Sequence, residues 1–148
     1  MAAYPDVEQL LCDWLIARHG AGPDGLFRRI VTEVPPDMLA FGATPCAVLE
    51  RFGGADSVVG LDNPRVNVDV FCAGTDPLVA RAAALARGED IRRAIRLHLV
   101  GTALGPFGPV VSRVRVESAP TIRPYDSRNQ IRRSQAVYEI RLHSRLTD

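Results

Sequence analysis

All 18 basic residues of this chain are arginine, and none is lysine. Arginine carries a planar, permanently charged fork that grips carboxylates and phosphates through paired hydrogen bonds. A GC-rich genome would give the same bias through its codons, so the count alone assigns no role. Position says more. Between Ala119 and Ser134 the sequence places Arg123, Arg128, Arg132 and Arg133 around Tyr125 and Asp126, with Pro120 and Pro124 stiffening the stretch. Tyrosine and arginine are enriched where proteins touch each other, and an aromatic among arginines also suits a phosphate backbone. Three uses stand open: a protein-contacting arm, a solvated connection, or a nucleic-acid contact. Arg51 and Asp62 are weaker candidates for the same contact chemistry.

Residues suited to catalysis are scattered by comparison. A phosphate-cradling loop needs a lysine after its glycines, which this chain cannot supply. Gly101, Gly105 and Gly108 alternate with prolines, a pattern of turns. Ser57, Ser112, Ser118 and Ser127 lack the nucleophile-elbow context. His19 and His98 fall near helix ends and His143 on an outward strand position, each with a simple structural use. Glu33, Glu50 and Asp69 would have to converge from three strands to act together, and pairing with neighbouring arginines is the simpler use. Cys12, Cys46 and Cys72 are odd in number, far apart and without a zinc-like histidine spacing. They predict reduced, largely buried thiols in a protein made in a cytoplasm. The expectation is therefore no catalytic site, no cofactor and no metal. A formal net charge of +1 also argues against nucleic-acid binding by bulk charge.

Hydrophobic periodicity supplies the elements that must hold these residues. With 148 residues, 47% apolar and 24% charged, the chain predicts one domain spanning 1–148. No apolar run approaches the ~18 residues that span a bilayer, and the first residues lack a secretion signal's pattern. Pro5, Asp6 and Glu8 open a helix whose stripe is Val7, Leu10, Leu11, Trp14 and Leu15, stopped by Gly20. Short strands follow at Arg28–Val34 and Cys46–Phe52, with an irregular excursion at Asp37–Pro45 and turns at Gly53–Ser57 and Asp62–Pro64. Arg65–Cys72 alternates cleanly, with Val66, Val68, Val70 and Cys72 on one face. Asp76 and Pro77 start a second helix with the stripe Leu78, Ala82, Leu85, Ile91, Ile95 and His98 or Leu99. Gly88 lies within that stripe, either to let the helix approach a sheet or to break it, and one continuous helix is favoured. After the loop Gly101–Pro109, the segments Val110–Ser118 and Gln135–Ser144 alternate as strands around the long polar loop Ala119–Ser134. That order predicts an α+β fold: a mixed, mainly antiparallel sheet with two helices on one face and charge on the other.

Several segments together resemble a known family. They are the Tyr4–Glu8 helix start running to Trp14-Leu15, Arg51–Gly54 leading to Asp62–Phe71, and Val111–Val114 followed by Ala119–Asp126, Arg132-Arg133 and Tyr138–Leu142. This set resembles the tail-terminator proteins of long-tailed bacteriophages, especially those of actinobacterial hosts. The resemblance implies a small subunit that closes into a homohexameric ring, caps the finished tail tube and joins it to the head-side connector or stopper. Its partners would be itself, the major tail tube protein and that connector. DNA would pass through the lumen without being read, and the protein would sit in the virion tail or neck after assembly in the host cytoplasm. It also implies no active site. Under it, Arg123, Tyr125, Asp126, Arg128, Arg132 and Arg133 become assembly contacts, with Arg51 and Asp62 behind them. The alternatives are a head-tail stopper or tail-completion neck protein and, from a different class, a ferredoxin-like nucleic-acid-binding module. Asp37–Pro45 and Gly101–Pro109 have no place on the family pattern.

Overall fold

The computed structural model describes residues 6–22, 24–36, 44–53, 61–74, 76–106, 108–125 and 131–143. Helix α1 (Val7–His19) starts where Asp6 Oδ1 accepts the Gln9 amide at 3.1 Å, and it ends at Gly20 with φ 79°. Helix α2 (Pro77–Ala94) is capped by Asp76, which accepts the Leu78 and Val79 amides at 2.9 and 3.4 Å. It runs unbroken through Gly88 into a π-helical turn at Ile95–Leu99.

The strands are β1 (Arg29–Val31), β2 (Cys46–Gly53), β3 (Leu61–Asp62), β4 (Arg65–Ala73), β5 (Val110–Arg123) and β6 (Ile131–His143). β6 is the hub. On one side it pairs antiparallel with β4 from Glu139 to Ile131, and with β3 beyond; on its other side it pairs with β5. β2 lies antiparallel against β4, and β1 adds a short parallel edge. The sheet is thus mixed, mainly antiparallel and not closed, the α+β architecture expected from the sequence.

Both helices cover one face. α1 packs on β1 and β2, and α2 packs on β4, β5 and β6. Their buried residues Leu11, Leu15, Ile91, Ile95 and Leu99 meet Val66, Val68, Val70, Tyr138, Ile140 and Leu142 in one core. Each such side chain, fully buried, stabilises the fold by about 1.5–3 kcal/mol.

Three expectations change. The α2 stripe is Ala80, Ala84, Gly88, Ile91, Ala94, Ile95 and Leu99, while Leu78 is 76% exposed. Small residues win because the helix lies close to the sheet: Ser134 Oγ donates to the Ala84 carbonyl at 2.8 Å, leaving no room for leucines there. Second, most of Ala119–Ser134 is ladder. β5 runs on to Arg123 and β6 begins at Ile131, whose partner is Ala73. Pro120 is tolerated because β5 is an edge strand with a register irregularity between Ser118 and Thr121. Third, Asp62 belongs to a strand, and Pro64 continues the same course by accepting the Ile140 amide at 3.0 Å. The Gly53–Ser57 turn and the Asp37–Pro45 excursion fall mostly outside the described residues.

Candidate assembly surface

The arginine-rich stretch forms the end of the β5–β6 ladder. Arg123 and Arg133 are cross-strand partners on the face away from the helices. Arg132, one position along, is opposite Cys72 and so belongs to the helix-covered face. Tyr125 packs edge-on against Phe71, with ring centroids 5.1 Å apart and an interplanar angle of 68°. The Arg133 guanidinium sits 5.7 Å from the Tyr125 ring, and its Nη2 donates to the Pro124 carbonyl at 2.9 Å. Arg133 therefore holds the end of β5, Arg132 is half-buried with Nη1 donating to the Ile131 carbonyl at 3.1 Å, and Arg123 is the exposed cation of the three. Asp126 and Arg128 lie outside the described residues.

Under Tyr125 lies a feature that the sequence reading missed. Cys46, Val48, Phe71, Ala73 and Ile131 form a second buried cluster on the face away from the helices, with Val31 packed against it. That face is not charged throughout. The signal was in the alternation Arg65, Asn67, Asp69, Phe71, which turns apolar toward one end of β4. A groove with a volume of about 380 Å³ opens beside this end, lined by Ile122, Pro124, Tyr125 and Ile131 together with Arg81, Arg123 and Arg132. Arg81 was also missed, because nothing in the α2 sequence brings it to the hairpin. Leu78 stands one turn before it on the same side of the helix.

Arg51 and Asp62 belong elsewhere. Arg51 Nη1 and Nη2 donate to the two Asp62 carboxylate oxygens, both at 2.8 Å, and Asp62 is 5% exposed. This fork-to-fork pair ties β2 to β3. Arg51 is opposite Val66 whereas Arg133 is opposite Phe71, a separation of roughly 15–20 Å along β4 at the usual strand rise. The structure does not bring the two groups together.

The rest of the outer face largely neutralises itself. Arg65 binds both Glu117 oxygens, at 2.6 Å for the shortest contact, and that pairing holds the Glu117 carboxyl below its usual range. Arg65 also lies 4.6 Å from the exposed Phe52 ring. Asp69 Oδ1 is buried with no hydrogen-bond partner among the described residues. Burial raises its pKa against the opposing influence of Asn67, Arg133 and Gln135. Asp69, Glu117 and Glu139 together make this a poor platform for nucleic-acid bases and phosphates.

Titratable groups elsewhere are arranged for structure. His19 packs on Phe27 at 5.8 Å, and burial lowers its pKa despite Asp90 nearby. Burial, reinforced by Asp13, Glu8 and Asp6, pushes the Cys12 thiol up to about 12, far from a thiolate nucleophile. Among the described residues, no three His, Cys, Asp or Glu side chains converge as a metal site would require. Among the described residues, no helix is long and apolar enough to cross a membrane. No protein-family model and no curated protein matches the chain.

Proposed function

We propose that this chain is a virion structural protein, a tail terminator that closes into a ring on the finished tail tube and joins it to the head-side connector. The supporting observation is that three of the segments behind the family resemblance are neighbours in one sheet, while the helix start and Arg51–Gly53 belong to α1 and β2. Asp62–Phe71 lies on β3 and β4, Arg132–Leu142 on β6, and Val111–Arg123 on β5, three neighbouring courses of one sheet. Their far end carries the groove with three arginines and Tyr125. Such a surface works by fit: apolar area supplies affinity, and arginine forks set which partner is accepted.

The protein would act without catalysis or cofactor, on itself, the tube protein and the connector, and DNA would cross the ring unread. Alanine at both Arg123 and Tyr125 is expected to leave a folded subunit, because both side chains lie at the surface. Its ring formation should weaken at least about tenfold, the effect of losing roughly 1.4 kcal/mol at an interface. Sedimentation velocity alongside circular dichroism checks this. Rings of normal affinity from the double variant would remove these residues from the contact. A stopper or neck role belongs to the same class and separates by partner: a stopper binds the connector without requiring a tube end.

A further inference from the structure

We infer that the groove beside Arg81, Arg123 and Arg132 receives the acid-bearing face of α1 from a second copy of this chain. The inference rests on the assembly reading above and names the two surfaces that would meet. Along the sheet, α1 covers β1 and β2 at one side while α2 covers β4, β6 and β5 at the other. The two surfaces therefore occupy opposite flanks of the subunit. A contact between opposite flanks is head-to-tail, the type that closes rings when its rotation closes.

The charges are complementary. The cap Asp6 with Gln9, Asp13 and Ala17 forms an exposed face of α1, with half-buried Glu8 near its start and exposed Arg18 at its far end. Asp6 accepts only the Gln9 amide and Asp13 only the Gln9 side chain, so neither meets a cation among the described residues. On the other flank, Arg87 and Arg92 of α2 pair with Asp90 and Glu89 of their own helix. Among the described residues, Arg81 and Arg123 have no acidic partner and no acid lines their groove. Charge alone holds exposed surfaces weakly. Here half-buried Ile122 and exposed Tyr125 add apolar area between the arginines of the groove, and exposed Leu78 stands one turn before Arg81.

A reciprocal charge swap tests the contact. One variant carries Glu8→Arg, Gln9→Arg and Asp13→Arg, leaving the Asp6 cap of α1 in place. The other carries Arg81→Glu and Arg123→Glu, both at exposed positions. Circular dichroism and thermal midpoints verify that each is folded. By sedimentation velocity the parent should self-associate, each variant alone should associate at least about tenfold more weakly, and their equimolar mixture should recover the parent's assembly. Each variant alone sets like charges against each other, whereas the mixture, like the parent, joins acid to arginine at every contact. Three results overturn the inference: a parent monomeric throughout, variants that assemble alone like the parent, or a mixture that stays dissociated. So does salt-sensitive capture of labelled duplex DNA that Arg81→Glu/Arg123→Glu abolishes while self-association is unchanged. Tube capping is scored separately by imaging. Parent rings that cap tubes despite a failed swap would sink this contact alone, and a working swap without capping would sink the terminator role alone.

Discussion

Arg51 and Asp62 show how one ion pair can matter when it is mostly buried. Asp62 is 5% exposed and takes both forks of Arg51, so Arg51→Ala removes two charged donors from a buried carboxylate. A loss of about 2–4 kcal/mol in urea unfolding is expected. Replacing both residues with apolar ones of similar volume should cost less than Arg51→Ala alone, and an equal or greater cost would contradict this. Asp69 makes stability depend on pH. Burial raises its folded-state pKa above the ordinary 3.8, so the folded chain holds that proton more tightly than the unfolded one. The stability it contributes is therefore greatest at low pH and declines as pH rises through the raised value. Relative to the parent, Asp69→Asn should gain stability toward neutral pH, and the gap should close below about pH 4. Thermal midpoints across that range check the sign, and a gap that widens on acidification would refute it.

At the scale of elements, Gly88 marks the tightest helix–sheet approach. A Cβ there would lie 2.9 Å from Ser134 Oγ and 3.0 Å from Pro120 Cβ. Alanine gains about 1 kcal/mol of helix propensity, but the proline ring is held by β5 and cannot easily retreat. Overpacking costs about 1–3 kcal/mol, so Gly88→Ala should destabilise modestly. A stabilised variant would mean that the approach is looser than it looks. The same crossing shows why the sequence was only partly legible. The alternation in Arg65–Cys72 and the caps at Asp6 and Asp76 depend on neighbours a few residues away, and they read correctly. The α2 stripe did not, because selection of Ala80 and Ala84 over Leu78 and Ala82 comes from Ser134, fifty positions beyond Ala84. Ile131–Ser134 read as loop because its polar residues find their partners only on β4 and β5. The groove was hidden likewise: Tyr125, Arg123 and Arg132 were visible as interface chemistry, but Arg81 and the Phe71 cluster join them only through tertiary packing.

For the whole molecule, the two faces of the sheet divide the work. The helix-covered face holds the core, while the outer face is mostly self-neutralised and apolar at one end. Among the described residues, Arg81 and Arg123 by the β5–β6 hairpin and Asp6 and Asp13 at α1 on the other flank have no ion-pair partner. That distribution suits a subunit whose neighbours are its own copies above all. The most direct test is electron-microscopic imaging of the purified protein mixed with tail tubes. A ring seated at one end of each tube, and nowhere along its length, is the expected result. Tubes with bare ends at saturating protein, or protein bound along their walls, would contradict the proposed role.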